Sequence, residues 1–170
     1  MNIAELIRDI PDFPAEGILF RDITTLLKDA GGFKEAVDQM CASLEGLGVD
    51  LIVGPEARGF IFGSAVAYAM DAGLILARKP GKLPAEHISA SYGLEYGVDC
   101  LAVHADSIKL GQKVAIIDDL LATGGTAKAA CELCEKLGGE VVALRFLVEL
   151  EELNGRETLA GYDVGALIKY

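Results

Sequence analysis

The chain has 170 residues, 52% of them hydrophobic, and a formal net charge of −11, which allows one substantial domain with a core that stands without disulfide or metal staples. The acidic balance argues against a general nucleic-acid surface, because such surfaces draw most of their affinity from clustered Lys and Arg against phosphate. The longest nearly uncharged stretch, Gly59 to Met70, is too short to span a bilayer, and Glu5, Arg8 and Asp9 break any signal-peptide pattern, so no membrane partner is expected and the chain reads as soluble and cytoplasmic.

In chain order, Asp12 to Asp22 ("DFPAEGILFRD") puts Pro14 and Gly17 ahead of a short apolar segment and precedes any sheet, so a lid over the core is expected there. Phe33 to Leu47 has a helical pattern. Short apolar runs at Asp50 to Gly54, Leu74 to Arg78, Val114 to Asp119, Val141 to Val148 and Val164 to Ile168 read as strands, and Gly59 to Met70, Thr126 to Leu137 and Leu150 to Leu159 fit helices between them. Alternation of this kind predicts an α/β fold with a largely parallel sheet and right-handed crossovers. Gly81 to Gly97 ("GKLPAEHISASYGLEYG") is polar, glycine-flanked and long for a βα connection, which marks it as a functional loop. Cys131-Glu-Leu-Cys134 has metal-like spacing, but no second close pair of Cys or His accompanies it, so a buried helical face is expected. The four cysteines, Cys41, Cys100, Cys131 and Cys134, suit a reducing compartment.

One stretch carries the chemistry. In "VAIIDDLLATGGT", Val114 to Thr126, an apolar run breaks into Asp118 and Asp119 and then into Thr123-Gly124-Gly125-Thr126. Unpaired charge removed from water is penalised, so the two aspartates belong at the exposed carboxyl end of a strand, where open parallel sheets bind ligands. The glycines, hydroxyls and helix start that follow are the ingredients of a nest of N–H donors for an anion. A strand, a turn and an N-capped helix would also account for Thr-Gly-Gly-Thr alone; the adjacent carboxylates favour a ligand with both hydroxyls and phosphate.

These residues resemble the type I phosphoribosyltransferases, whose signature is a hydrophobic strand, two acidic residues and a Thr-Gly-Gly-Thr loop. "FPAEGILFRDIT" at 13–24, "EARGFIFG" at 56–63, "RKPGKLP" at 78–84 and "SYGLEYG" at 91–97 narrow the likeness to the adenine-using branch of that family, over nearly the whole chain. Pro55 departs from it, standing before Glu56 where Ile or Leu is more usual. The resemblance implies a single domain over residues 1–170, with a central, mostly parallel sheet flanked by helices, an N-terminal hood over roughly residues 1–30 and a flexible catalytic loop over roughly 81–97. It also implies the reversible conversion of adenine and 5-phosphoribosyl-1-pyrophosphate to AMP and pyrophosphate, with Mg²⁺ held mainly by substrate oxygens and water rather than by protein ligands, and a homodimer.

Carried over residue by residue, the likeness gives Asp118 and Asp119 the ribose 2′- and 3′-hydroxyls, a role that suits ionised carboxylates because they only accept hydrogen bonds. Ala122, Thr123, Gly124, Gly125 and Thr126 take the 5′-phosphate; Arg58, Arg78, Lys79 and Lys82 take pyrophosphate, with Tyr96 reaching it from the loop. Leu19, Phe20 and Arg21 hold the base, largely through the main chain, and Glu95 exchanges a proton with the purine as N9 attacks. A non-proline cis peptide is expected near Glu56-Ala57. Each cation also has an ordinary reading as a solvated surface charge, Phe20 as core and Glu95 as a solvated loop residue; their co-occurrence with the ribose motif favours the site. His87 and His104 receive no chemistry. Two rivals use the same scaffold: a phosphoribosyltransferase for a 6-oxopurine, distinguished by the hood, and a non-catalytic regulator that senses the phosphoribosyl ligand, which would need a DNA-binding segment.

Overall fold

The computed structural model describes residues 1–94 and 97–170. The chain divides into two compact units, Met1–Gln39 and Met40–Tyr170.

The first unit is built on a hairpin. Strand β1 (Arg8–Ile10) pairs antiparallel with β2 (Phe20–Asp22), with Asp9 opposite Arg21. The connection turns at Asp12 and Gly17, both with positive φ, and contains a cis Phe13–Pro14 bond; the Gly17 N–H donates to Asp12 Oδ1 at 2.8 Å. Helix α1 (Thr24–Leu27) follows, its first turn tied to Asp22, which accepts from the Thr24 hydroxyl and N–H. Those bonds come first, and the Arg8 guanidinium second, in holding the Asp22 carboxyl down at about 2. The next helix, α2 (Ala30–Ala42), begins in this unit. It starts earlier than the pattern predicted and stops five residues sooner than Leu47, where the chain turns through Gly46 and Gly48 with φ of 78° and 67°.

In the second unit, β3 (Leu51–Pro55), α3 (Gly59–Ala69) and β4 (Gly73–Ala77) start a β/α alternation. After a hairpin of β5 (His87–Leu94) and β6 (Gly97–His104) come β7 (Lys113–Leu121), α4 (Gly125–Lys136), β8 (Glu140–Glu149), the one-turn α5 (Gly155–Thr158) and β9 (Val164–Lys169). The five-stranded sheet is parallel throughout, in the order β4-β3-β7-β8-β9. Alternation of side chains divides its faces. Val53, Ile75, Val114, Ile116, Leu144 and Phe146 join α4 and the hairpin residues Ala90, Leu101 and Val103 in one buried cluster. On the other face α3 lies close to β3: a Cβ on Gly54 would sit 2.8 Å from the Gly59 carbonyl oxygen, and one on Gly63 would sit 3.3 Å from Gly54 Cα. The chain leaves β3 toward β4 on one side and returns to β7 on the other, so the strand order reverses between β3 and β7, and a crevice opens at their carboxyl ends.

Two sequence readings need correction. The stretch 81–97 is not loop throughout, because from His87 it becomes a strand whose Ile88, Ala90 and Tyr92 alternate toward the core cluster. Leu150 to Leu159 is not one helix: a 3₁₀ turn (Glu151–Leu153) ends at Asn154, whose left-handed φ of 55° stops it, and α5 restarts from that residue. Cys131 and Cys134 do lie on the buried face of α4, where burial pushes both thiols up to about 12. Among the described residues, no helix is long and apolar enough to cross a membrane.

Candidate active site

The crevice at the switch point is a cavity of about 340 Å³ lined by Glu56, Ala57 and Arg58 after β3, by Asp118 to Ala127 from β7 into α4, and by Phe146 of β8. It brings together Arg58, the two aspartates and all five residues of the proposed phosphate loop. β7 runs two residues further than the sequence suggested, so the aspartates sit close to its carboxyl end with Leu120 and Leu121 after them. Successive strand residues point to opposite faces, and the two carboxylates accordingly meet different surroundings.

Asp119 is only 6% exposed and is paired by the Arg58 guanidinium through Nε. Asp118 accepts the Asp119 N–H at 2.8 Å, and its Oδ1 is close enough to the start of α3 that a Cβ on Gly59 would come within 2.9 Å of it. Although part of Asp118 reaches the crevice, loss of water around its carboxyl, and then the neighbouring Asp119 charge, push its pKa well above the usual carboxylate range.

The loop after β7 is shaped by its glycines. Gly124 has φ 88° and is the N-cap of α4, and no side chain caps the helix there. The first amides of an α-helix have no partner inside it, so the turn at Gly124–Thr126 presents uncompensated donors and the positive end of a 12-residue helix to the cavity. Thr123 is exposed, Thr126 half-buried. Gly125 is held closely from outside, where a Cβ would meet Tyr92 Cδ2 at 3.2 Å.

Arg78, Lys79 and Lys82 follow β4 and converge on Glu56. That carboxylate accepts from Arg78 Nε at 3.3 Å, the Lys79 N–H at 2.7 Å and Lys82 Nζ at 2.6 Å. Burial acts to raise the pKa of Glu56, yet the Lys82 and Lys79 hydrogen bonds and the cationic charges outweigh it and leave it lowered. The Lys79 side chain turns the other way, to an ion pair with Asp99 of β6 and a 2.9 Å bond to the Tyr92 hydroxyl of β5. Desolvation there disfavours the ammonium, but Asp99 and Tyr92 prevail and raise its pKa; the same bond from Lys79 lowers that of Asp99. The peptide Glu56–Ala57 is cis, as expected for this loop.

Leu19, Phe20 and Arg21 lie in the first unit, on and just before β2. Leu19 is 45% exposed, Phe20 packs edge-on against Phe13 with centroids 5.1 Å apart, and Arg21 pairs with Asp9 at 2.5 Å. Glu95 and Tyr96 lie outside the described residues. Glu56, Tyr92 and Asp99 were not singled out from the sequence. Glu56 was discoverable as the one carboxylate in "EARG", two residues before Arg58. Its meeting with Arg78 and Lys82, 22 and 26 residues away, depends instead on the pairing of β3 with β4, and that of Asp99 with Lys79 on hairpin register.

The sequence pattern of the phosphoribosyl transferase domain family matches residues 25–162. A protein from Alkaliphilus metalliredigens named adenine phosphoribosyltransferase is 58% identical over 170 residues, the full length of both chains, and one of the same name from Thermotoga neapolitana is 56% identical, again over both full lengths. The crystal structure of adenine phosphoribosyltransferase from Thermoanaerobacter pseudethanolicus superposes with a TM-score of 0.96 at 53% identity, covering 99% of this chain and 98% of that one. This chain belongs to the adenine phosphoribosyltransferase family. A phosphoribosyltransferase needs acceptors for ribose hydroxyls, donors for phosphate and an arrangement of cations for pyrophosphate, and the second unit supplies all three chemistries around and beside one crevice.

Proposed function

We propose that the protein is an adenine phosphoribosyltransferase of purine salvage, joining adenine to 5-phosphoribosyl-1-pyrophosphate to give AMP and pyrophosphate. The observation that carries this reading is the meeting, in one cavity at the β3/β7 switch point, of adjacent carboxylates, a glycine-rich helix start and a guanidinium. In the reaction, N9 of adenine bonds to the anomeric carbon, the bond from that carbon to the pyrophosphate oxygen breaks, and N9 gives up its proton.

Asp118 and Asp119 accept from the ribose hydroxyls and favour the positive charge that develops on the ring. Residues Ala122 to Thr126 hold the 5′-phosphate; Arg58, Arg78, Lys79 and Lys82 take pyrophosphate, with Tyr96 assisting. Because each of these cations already has a carboxylate partner, pyrophosphate must share or displace Asp119, Glu56 and Asp99. Leu19, Phe20 and Arg21 receive the base, and Glu95 takes the N9 proton.

Mg²⁺ fits the reading through substrate. Among the described residues no group of three or more His, Cys, Asp or Glu could hold a metal ion, while the hard oxygens of Asp118 and Asp119 in the cavity are compatible with a hydrated Mg²⁺ carried on phosphate and ribose. When bound, the ion neutralises charge on the pyrophosphate. A homodimer in the cytoplasm completes the proposal.

Incubation with 5-phosphoribosyl-1-pyrophosphate, Mg²⁺ and, separately, adenine, hypoxanthine, guanine and xanthine tests enzyme and base together. AMP from adenine alone is expected; turnover of a 6-oxopurine instead, or of no base, ends the proposal. In the same assay Glu95→Gln should lose most of kcat with smaller changes in substrate binding, and a single-turnover rate equal to the unaltered protein's would remove Glu95 from proton transfer.

A further inference from the structure

The phosphate loop does not stand alone. Behind Ala122 to Gly124 lies the segment after β8, and the two backbones touch. The Leu150 N–H donates to the Leu121 carbonyl at 3.0 Å. A Cβ on Gly155 would lie 2.5 Å from the Ala122 carbonyl oxygen and 2.7 Å from Leu121 Cδ1, distances that no side chain accepts. A Cβ on Gly124 would in turn lie 2.8 Å from the Gly155 carbonyl oxygen and 3.0 Å from Thr158 Cβ. Gly124 and Gly155 therefore interlock, each leaving room for the other's main chain.

One turn of helix is too short to hold its own position, and α5 has only four residues. What fixes it is Arg156. Its Nε and one terminal nitrogen grip both oxygens of Glu149 at 2.7 and 2.8 Å, and the other terminal nitrogen reaches the Val164 carbonyl at 2.8 Å. Glu149 is 3% exposed and sits at the end of β8, directly beside Leu121 of β7. A fork-to-fork pair of this kind sets direction as well as distance, and the Arg156 bonds hold the Glu149 carboxyl below its ordinary range.

We infer that Gly155, Arg156 and Glu149 are positioning residues for phosphate recognition: they brace the outer side of the 122–124 loop so that its amides keep the spacing a 5′-phosphate requires. None of them lines the cavity. They act through the loop, and the inference rests on the reading of that loop as the 5′-phosphate site. A brace of this sort has a selective signature, since it supports one subsite and leaves the cations around Glu56 untouched.

Calorimetry with AMP and with Mg²⁺-pyrophosphate separates this from a general contribution to folding. In Gly155→Ala the Ala122 carbonyl must shift by more than half an ångström, and a displacement of that order at a binding loop weakens AMP by roughly tenfold or more. Pyrophosphate affinity should stay within about twofold. Arg156→Lys keeps the charge but loses the fork and should fall between, with Arg156→Ala weaker still; Thr158→Ala, which removes the methyl under Gly124 together with the hydroxyl, should weaken AMP about threefold. If Gly155→Ala does not fold, Thr158→Ala and Arg156→Lys make the same comparison. AMP affinity unchanged in the folded variants, or AMP and pyrophosphate weakened in parallel, overturns the inference. Failure of the unaltered protein to bind AMP removes the function proposed above, and the inference with it.

Discussion

At Asp118 the protein keeps a carboxylate where burial and a like charge both oppose its ionisation. Such a group is retained against stability, and the sign can be worked out. Its folded pKa lies above the unfolded value of about 4, so the folded state binds the proton more tightly, and stability falls as pH rises from about 4 through the folded pKa. Asn has the same shape, can still accept the Asp119 N–H and carries no charge to desolvate. Asp118→Asn should therefore melt at a higher temperature than the unaltered protein at neutral pH, with the difference shrinking toward pH 4, while its turnover falls by roughly a hundredfold or more. Thermal melts across pH 4–8 beside a steady-state assay decide it; a lower melting temperature at pH 7, or unimpaired turnover, would mean that Asp118 is not an active-site carboxylate held at a cost. The presence of both aspartates in a site could be read from the sequence, because adjacent acids ending an apolar run have few other uses. Their different environments could not, since Arg58, which bonds Asp119, stands 61 residues away from it.

Among the elements, the β5–β6 hairpin was the least legible. Glycines and polar residues across 81–97 suggested a loop, yet Ile88, Ala90 and Tyr92 repeat with a period of two, and β6 answers with the fully buried Leu101 and Val103 opposite Ala90 and Ile88. The five sheet strands were legible because they read as continuous apolar runs, the central β3, β7 and β8 being buried on both faces; the hairpin gives only the weaker alternating signal. The register that sets Tyr92 opposite Asp99 also creates the cradle for the Lys79 ammonium, a result of pairing that no local pattern contains. This cradle makes the pyrophosphate assignment of Lys79 testable. If Lys79 serves pyrophosphate, Asp99 competes for it, and Asp99→Asn should tighten Mg²⁺-pyrophosphate binding by up to about fivefold, the ceiling set by the roughly 1 kcal/mol of an exposed ion pair. Unchanged or weaker binding by calorimetry would take Lys79 out of the subsite and leave it as a hairpin clamp.

At the scale of the whole molecule, a chain of net charge −11 holds its cations in pairs with carboxylates around one crevice, which is how an acidic protein can present a local site for an anionic ligand. Its sheet, however, has an edge that among the described residues is paired only at its end, where Arg78 exchanges backbone hydrogen bonds with Ala102. β4 is an edge strand, with Leu74 and Leu76 40% and 42% exposed. Leu83 and Pro84 line a shallow hollow of about 380 Å³ with them. His104 lines the same hollow, and its Nε2 is buried with no hydrogen-bond partner among the described residues. Edge strands with apolar side chains invite pairing or coverage. If the proposed homodimer covers this face, its interface is one the sequence did not reveal, because edge position depends on strand order rather than on the apolar pattern of β4 itself. Lysines at 74 and 76 would bring two like-charged side chains per protomer against the same surface of the partner, a juxtaposition that costs several kcal/mol across an interface. If that face is the interface, the double variant Leu74→Lys, Leu76→Lys should sediment as a monomer at micromolar concentration where the unaltered protein sediments as a dimer, and should keep its far-ultraviolet circular dichroism, since both side chains are already about two-fifths exposed. A monomeric unaltered protein would remove the dimer, and a double variant that still sediments as a dimer would move the interface away from β4.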